Sequence, residues 1–466
     1  MKRKTLKLLS LLMVLALACG VLAACGGDGG GQSTPAAAST PPAADSGDDS
    51  APAPAGDKPV LQFWALPYGA ADVFNPALQS VIDTYNEGDH GATVELQVLS
   101  WSGFAEQIQT AIAGGSPPDV TVASYHGLLN YAAMGEALDL SDIVARWEAE
   151  GDPILDDLMP AQLEYGKFQG EQIALPFKVD GRAVYYRADI LEDELGFTDL
   201  DKPVSWDKFM EICEAIKQNY GDEGVYPHSF FTMDMGSTVA MMNILISNGC
   251  GWLTEDGQPA MDDPRAVACL EWIGEMRDKG YFPEGMVSYN QAEVEKLYST
   301  GKIMMAWKGN FSHTKADEEL YKNTKVMGPI VGPDADEPLM CAWSDGMLAF
   351  KQTKYPEETK EFVEWFLKNN ESLFVEGGTG SLPVRKSYLE NSFFEDDWLT
   401  GQYAQYSDYF VLNSWRADEI PLATNQVYVQ GMLGAPMEAV LMGSNDYQGE
   451  MEKANEAIKK VFADLN

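Results

Sequence analysis

The chain has 466 residues, with 32 lysines and arginines against 71 aspartates and glutamates, and a formal net charge of −39 at pH 7. This length exceeds the roughly 250–300 residues at which one hydrophobic core stops growing, so we expect at least two lobes. The charge argues against nucleic-acid binding and against adhesion to anionic lipid, because both need an excess of basic residues. Four scattered histidines without HxxH spacing argue against a zinc centre, and we predict no metal and no cofactor.

The first 24 residues have the parts of a secretory signal peptide. Basic residues at 2–4 precede an apolar stretch at 8–17, which is too short for an ordinary membrane span. The sequence Leu-Ala-Ala-Cys at 22–25 is similar to a bacterial lipobox, in which cleavage leaves Cys25 as a lipidated N-terminus. A plain signal peptide cleaved near Cys25 is the alternative interpretation.

Residues 25–58 hold the predicted lipidation site and a stretch of Gly, Ser, Thr, Pro, Ala and Asp without aromatic residues. Such a composition cannot bury a core, so we predict a disordered tether with an r.m.s. span of roughly 30 Å. The sequence therefore predicts a protein held at the outer face of the cell membrane through Cys25.

Predicted strands and helices alternate from residue 60 onward. Strands are expected at 60–66, 93–99 and 119–123, with helices at 73–87 and 102–113 between them. This order implies a largely parallel sheet covered by helices, as in α/β proteins. Later strands are predicted at 183–186, 303–307 and 347–350, and later helices begin at Ser205 and Pro356 and cover 451–465.

Motifs of catalysis and metal binding are missing from the sequence. It contains no GxSxG nucleophile elbow, no P-loop, no Rossmann fingerprint after a strand, and no acidic spacing that marks a glycosidase pair. Cys213, Cys250, Cys269 and Cys341 lack the CxxC spacing of metal sites. A disulfide between Cys250 and Cys269 and two separate thiols both fit the sequence.

Five segments, in this order, resemble the family 1 extracellular solute-binding proteins (maltose-binding-protein-like) of bacterial ABC sugar importers. They are GGSPPDV at 114–120, IALPFKVDGRAVYYRADIL at 173–191, VSWDKFMEICEAIK at 204–217, GKIMMAWKGNF at 301–311 and GSLPVRKSYL at 380–389. The resemblance covers about residues 59–466, and the five segments together carry it.

The resemblance implies an α/β, two-lobed periplasmic-binding-protein-like fold of type II, with a sheet flanked by helices in each lobe and three hinge crossings. The N-lobe is expected to comprise 59–180 plus 333–380, and the C-lobe 181–332 plus 381–466. The crossings are then expected near Asp180-Gly181, Gly332-Pro333 and Gly380–Pro383, where Gly and Pro suit either a hinge or an ordinary loop.

The implied function is capture of a mono- or oligosaccharide between the lobes and its delivery to ABC transporter permease subunits, by a monomer that is not an enzyme. Two alternatives stay open at this point. One is a secreted carbohydrate-active enzyme, such as a glycoside hydrolase or lyase, and the other is a surface sensing module.

A sugar presents ring faces of C–H bonds and a rim of hydroxyls, which aromatic rings and polar side chains recognise. Candidates follow the first three strands, at the edge where α/β sheets bind ligands. They are Trp64 and Tyr68, Trp101, and Tyr125 with His126, the last two in a loop that contacts ligand in the family. For Trp64 a core position fits equally well.

The other candidates lie later in the chain. Through the resemblance, Asp180 is a hinge residue that accepts a hydroxyl, a solvated carboxylate being the alternative. Asn310 stands where the family often has a stacking Trp, so Trp307 or Trp252 is expected to replace it, although Trp307 fits a core position equally well. Trp343 and Asp345 precede a predicted strand, and Trp415 and Arg416 lie near a late cleft loop.

Overall fold

The computed structural model of the protein describes residues 58–465, apart from 102, 160, 234, 310, 311, 418 and 419. The predicted signal peptide, the lipobox with Cys25, nearly all of the tether and Asn310 lie outside the described residues. Within the described part of the chain, no helix combines the length and the apolar character of a membrane span.

Fifteen strands are present in the described residues. They are β1 Val60–Ala65, β2 Thr93–Val98, β3 Val120–Ser124, β4 Lys167–Phe168, β5 Glu171–Gln172, β6 Leu175–Gly181, β7 Ala183–Arg187, β8 Val204–Ser205, β9 Tyr226–Ser229, β10 Ile303–Lys308, β11 Thr324–Val326, β12 Ile330–Val331, β13 Met340–Ala349, β14 Leu382–Pro383 and β15 Phe410–Leu412.

The α-helices of the described residues alternate with these strands. They are α1 Ala71–Glu87, α2 Phe104–Ala113, α3 Tyr125–Ala133, α4 Ser141–Glu150, α5 Ile154–Asp157, α6 Trp206–Tyr220, α7 Gly236–Ser247, α8 Pro264–Asp278, α9 Gln291–Ser299, α10 Glu318–Asn323, α11 Pro356–Asn369, α12 Ser372–Val375, α13 Ser392–Asp396, α14 Trp398–Ala404, α15 Ala423–Val429, α16 Ala435–Leu441 and α17 Tyr447–Leu465.

The first lobe is built on a seven-stranded sheet, here called the large sheet, with the order β14-β6-β13-β3-β1-β2 and β15 paired to β13. β1 pairs in parallel with β2 and β3, as predicted. β6 is an antiparallel addition that the sequence did not indicate. The strand predicted at 347–350 forms the end of β13, which returns from the other lobe and runs antiparallel to both β3 and β6. Phe63 of β1 packs edge-on against Phe362 and Phe366 of α11, so the predicted apolar face of that helix is core.

The second lobe is built on a four-stranded sheet, here called the small sheet, with the order β11-β7-β10-β9. Apolar side chains of β7 and β10 cluster with those of α6, among them Phe209, Ile212 and Ile216. The predicted helix start at Ser205 is confirmed: Ser205 is the N-cap of α6, and its hydroxyl accepts a hydrogen bond from the Lys208 amide at 3.2 Å. Such a cap satisfies one of the free amides of the first helical turn.

The chain passes between the sheets where three strands run side by side. Ala342 of β13 pairs with Gly181 of β6 on one side and with Leu412 of β15 on the other, and we call these three residues the hinge row. The Phe410 ring fills the space beside Gly181, since a Cβ built there would lie 2.4 Å from its Cζ. Tyr403 adds a hydrogen bond from its hydroxyl to the Gly181 carbonyl at 2.9 Å.

The segment at Gly380–Pro383, where the sequence places the third crossing, contains β14. Leu382 and Pro383 pair with β6 and so still belong to the large sheet. Ser387 is bonded to Asp157, and the next contact with the small sheet is Trp398, whose indole donates to the Thr324 carbonyl. The Gly and Pro residues of this segment thus lie in and beside a short strand of the large sheet.

Candidate functional site

Two cross-strand pairs, each with a charged residue on β6, join β6 to β13 close to the hinge row. Lys178 pairs with Asp345, and Asp180 pairs with Trp343 two positions further along. Alternate residues of a strand point to the same face, so both pairs lie on one face of the large sheet. The carboxyl ends of β1, β2 and β3 reach the same region, since Asp345 also pairs with Ser124 at the end of β3.

The first pair belongs to a group that we call the lysine triad: Lys178, Asp345 and Tyr68. The Lys178 ammonium lies 3.0 Å from the Asp345 carboxylate, and these side chains are only 8% and 9% exposed. The same ammonium lies 4.6 Å from the centre of the Tyr68 ring, within the range of a cation–π contact. Burial and then the nearby Asp345 carboxylate raise the pKa of the Tyr68 hydroxyl well above its usual value, so this hydroxyl stays protonated.

Trp101 lies beside the lysine triad and is open to solvent. Trp101 is 58% exposed, yet its indole N–H donates to the Pro67 carbonyl at 2.9 Å. The indole meets the Tyr68 ring nearly at right angles, with 5.3 Å between the ring centres. The ring is therefore fixed by one edge and presents apolar surface to whatever approaches this end of the sheet.

The second pair belongs to a group that we call the arginine triad: Arg182, Asp180 and Trp343. The Arg182 guanidinium donates to Oδ2 of Asp180 at 2.6 Å and lies 4.5 Å from the centre of the Trp343 ring. Burial alone would lower the pKa of Arg182. The Asp180 carboxylate raises this pKa by more than burial lowers it, so the guanidinium stays charged. Gly309 passes so close that a Cβ there would lie 2.8 Å from the guanidinium.

Residues of both lobes meet beside the arginine triad. His126 of α3 faces Tyr428 of α15, with 6.4 Å between the ring centres. Burial lowers the pKa of His126 to about 4, so the imidazole is neutral at pH 7. Nε2 of His126 and Oδ1 of Asp180 are buried, and neither has a hydrogen-bond partner among the described residues. Such atoms cost folding free energy unless a further group satisfies them.

Several predicted candidates are brought together in this region. Tyr68, Trp101 and Asp345 meet at the lysine triad, Asp180 and Trp343 belong to the arginine triad, and His126 faces Tyr428. Trp343 and Asp345 lie within β13 rather than before the strand, because β13 begins earlier than its most apolar residues. Their role in ligand binding stays a prediction.

Other candidates are placed elsewhere. Tyr125 is almost fully buried at the start of α3, with its hydroxyl donating to the Gln162 carbonyl at 3.1 Å. Trp252 is buried against Phe462, and its indole donates to the Asn413 carbonyl at 3.0 Å. Trp64 faces α2 and lines a shallow pocket with Thr110.

The remaining candidates belong to the second lobe. Trp307 is half-buried on β10, opposite Val184, and its indole N–H has no partner among the described residues. Trp415 stacks with its neighbour Arg416, whose guanidinium lies 4.5 Å from the Trp415 ring and donates to the Gly249 carbonyl. These two residues thus hold the turn at Gly249.

The sequence did not single out Lys178, Arg182 or Tyr428. Lys178 and Arg182 lie inside the segment 173–191 that carries the family resemblance, and their position on either side of Asp180 was the available signal. Tyr428 had no signal, because an aromatic residue in a late helix resembles any core residue. Among the described residues there is no group of three or more His, Cys, Asp or Glu arranged to hold a metal ion.

Cys250 and Cys269 are free thiols in the structure, as are Cys213 and Cys341. Both sulfurs lie at the end of α7, where Cys250 donates to the Leu245 carbonyl and Cys269 to that of Ile244. All four are buried, so none resembles an exposed, reactive cysteine.

Comparisons with known proteins agree with this architecture. The sequence profile described as bacterial extracellular solute-binding protein matches residues 71–371. The diacetylchitobiose binding protein DasA of Streptomyces coelicolor is 22% identical over 339 residues, which cover 71% of this chain and 75% of that protein.

Two solved structures are also similar in fold. A sugar transporter protein of Arthrobacter chlorophenolicus with bound laminaribiose has a TM-score of 0.71 and 19% identity, over 86% of this chain and 99% of that chain. The sugar-binding protein MalE of Xanthomonas citri has a TM-score of 0.73 and 17% identity, over 87% and 98% of the two chains. With the profile match spanning more than half of its residues, the chain belongs to the bacterial extracellular solute-binding protein family.

Proposed function

We propose that this protein captures a carbohydrate between its two lobes and delivers it, chemically unaltered, to the permease of an ABC transporter. The observation that carries the proposal is the arginine triad at the hinge row, where Oδ1 of Asp180 is buried without a partner among the described residues. A carboxylate oxygen in this position accepts a hydrogen bond from a ligand hydroxyl, which then satisfies it.

The neighbouring groups match the rest of a sugar. Trp343 and Tyr428 offer aromatic surface to the ring, and Arg182 offers further N–H donors. Relatives named for diacetylchitobiose, mannitol and maltodextrin binding support polyhydroxylated ligands as the class. Trp307, Trp415 and Arg416 remain candidates for contacts from the second lobe.

Capture by closure follows from where these residues lie. Asp180 and His126 belong to elements of the first lobe, whereas Tyr428 belongs to α15, which packs with the apolar cluster of the second lobe. A ligand that contacts both sides is bound more tightly by the closed form than by the open one. It therefore shifts the population toward closure, by as much as its affinities for the two forms differ.

The anchoring of the protein is part of the same proposal. Cleavage before Cys25 and its acylation would leave the folded region on a tether at the outer face of the membrane, beside the permease. More than one acyl chain is needed for stable attachment, which the lipobox chemistry supplies. We propose a monomer whose first lobe comprises about 59–180 and a second segment from about 333 to the end of β14, at 383 rather than 380.

The proposal is tested by calorimetry on the purified protein with mono- and oligosaccharides, followed by chromatography of the recovered ligand. We expect one bound ligand per chain and complete recovery of the starting compound. Release of cleaved or eliminated product at catalytic amounts of protein would contradict the carrier function and favour an enzyme.

A further inference from the structure

We propose that Cys250 and Cys269 pair as a disulfide when the protein folds in an oxidising environment outside the cytoplasm. The two free thiols of the structure are then the reduced form of this pair. The inference goes beyond carbohydrate capture and does not depend on which ligand the protein binds. It is carried by the place of the two sulfurs at one turn of the second lobe.

The two sulfurs lie beside neighbouring carbonyls at the end of α7. Sγ of Cys250 lies 3.3 Å from the Leu245 carbonyl oxygen, and Sγ of Cys269 lies 3.6 Å from that of Ile244. The two side chains also interact directly. Burial raises the pKa of the Cys269 thiol well above its usual value, and the hydrogen bond with the Cys250 thiol raises it further. A disulfide brings two sulfurs to about 2.0 Å, and rotation of the two side chains supplies this approach.

Three contacts hold the turn after α7 against the first turn of α8. The Asn248 side chain donates to the Arg265 carbonyl at 3.0 Å, and the Arg265 guanidinium donates to the Gly249 carbonyl at 2.9 Å. Sγ of Cys269 lies 3.2 Å from the same Arg265 carbonyl oxygen. The backbone around both cysteines is therefore already positioned, so the pair forms without a rearrangement of the two helices.

The other two cysteines of the described residues are placed differently. Cys213 lies on α6 and Cys341 lies on β13. Both are buried, and within the described part of the chain neither interacts with another thiol in the way that Cys250 and Cys269 do. The structure thus favours one pairing, and Cys213 and Cys341 serve as internal controls.

The chemistry is thiol–disulfide exchange with a disulfide donor. The family to which the chain belongs is extracellular, and disulfides form and persist outside the cytoplasm. The thiolate of one cysteine attacks a donor disulfide and forms a mixed disulfide, and the thiolate of the second cysteine then displaces the remaining donor sulfur. Two hydrogens leave the protein thiols, and the donor is reduced to two thiols.

The burial of the pair fixes when the exchange takes place. Cys250 and Cys269 are both fully buried in the folded chain. A donor therefore reaches them before the second lobe has finished folding. The completed bond is afterwards shielded from reductants by the same burial.

The disulfide would anchor the turn that supports the predicted second crossing. The Ser247 carbonyl accepts a hydrogen bond from the Gly332 amide at 2.6 Å, and Oδ1 of Asn248 accepts one from the Asp334 amide at 3.2 Å. A bond between α8 and this turn shortens the free loop of the unfolded chain and so stabilises the second lobe.

The first experiment maps the disulfide in the full-length protein. The protein is unfolded in guanidinium chloride and refolded in detergent with reduced and oxidised glutathione. Free thiols are then blocked with N-ethylmaleimide in denaturant, and an unreduced digest is analysed by mass spectrometry. We expect peptides linked through Cys250 and Cys269, lighter by two hydrogens than the two reduced peptides together, while Cys213 and Cys341 carry the label.

The second experiment compares melting temperatures after refolding with oxidised glutathione and with dithiothreitol. We expect the protein refolded in dithiothreitol to melt about 5 °C lower, because its unfolded chain is not cross-linked. Cys250→Ala combined with Cys269→Ala should abolish this difference. Cys213→Ala combined with Cys341→Ala is the matched control, since it also removes two buried thiols, and it should retain the difference.

The contrary results are equally distinct. Label on both Cys250 and Cys269 after refolding with oxidised glutathione would overturn the disulfide, as would linkage of either residue to a different cysteine. The same difference in melting temperature in both double variants would show that dithiothreitol acts elsewhere and would also contradict the proposal. Neither experiment uses a ligand, so these failures would leave the proposed carbohydrate capture standing.

Discussion

The lysine triad and the arginine triad contain similar groups but differ in burial and in the elements around them. The Lys178–Asp345 side chains are 8% and 9% exposed, and every member of that triad belongs to the first lobe. The Arg182–Asp180 side chains are 16% and 24% exposed, lie beside the hinge row and interact electrostatically with Tyr428 of the second lobe. The same chemistry therefore serves the stability of one lobe in the first case and the meeting of two lobes in the second.

The largest expected effect tests the burial of the lysine triad. Lys178→Met should lower the free energy of unfolding by about 3–5 kcal/mol, because it leaves the Asp345 carboxylate buried without its cation. Arg182→Met should cost less, since the Asp180 side chain is more exposed than that of Asp345, at 24% against 9%. Both values are measured by denaturant unfolding.

A double variant controls for the loss of packing. Lys178→Met combined with Asp345→Leu removes both charges and should recover most of the lost stability. A single Lys178→Met variant with less than about 1 kcal/mol of loss would show that this pair is as well solvated as the Arg182–Asp180 pair.

The second prediction concerns the pH dependence of stability through His126, which faces Tyr428. The pKa of His126 falls from 6.5 to about 4 on folding, so between these values the unfolded chain binds the proton more readily. Its contribution to stability is thus complete above pH 6.5 and is lost as the pH falls toward 4. At about 1.4 kcal/mol per pKa unit, the loss is about 3 kcal/mol.

The free energy of unfolding, measured at several pH values between 4 and 6.5, should therefore change less with pH in His126→Gln than in the unchanged protein. His228, whose pKa burial lowers to about 3, gives a loss of the same sign and remains in both proteins. Identical pH dependence in the two proteins would mean that His126 is solvated in the native state.

The third prediction separates binding from stability at the hinge row. Asp180→Ala should weaken sugar binding by about 1–3 kcal/mol, because a ligand hydroxyl loses its buried acceptor. Calorimetry gives the affinity and a thermal melt gives the stability. Asp180→Asn retains one acceptor, so its affinity for the sugar should lie between those of the unchanged protein and Asp180→Ala. An unchanged dissociation constant in Asp180→Ala would remove Asp180 from the site.

The smallest effect is expected outside both triads. Tyr125→Phe removes the bond to the Gln162 carbonyl and should lower the free energy of unfolding by about 1 kcal/mol, without a change in ligand affinity. A tenfold weaker affinity with normal stability would instead place Tyr125 among the ligand contacts.

The sequence predicted the fold best where its signals are local. The first three strands and their helices follow from apolar periodicity and caps, and the five ordered segments identified the family. The triads depend on the register between β6 and β13, which are distant in the chain, so no local pattern indicates that Asp180 faces Trp343. The sequence also does not show where a side chain points. Tyr68 and Tyr125 both follow strands, yet Tyr68 contacts Lys178 whereas the Tyr125 hydroxyl bonds to Gln162 in the core.

The hinge row has a mechanical consequence for unloading. In a rotation about Gly181, Ala342 and Leu412, each atom moves in proportion to its distance from that axis. Residues next to the hinge row therefore move little, and distant residues move far. Asp180 and Trp343 are next in sequence to Gly181 and Ala342 and therefore travel least. Ligand contacts made at Asp180 and Trp343 would thus change least on opening and would be the last to break.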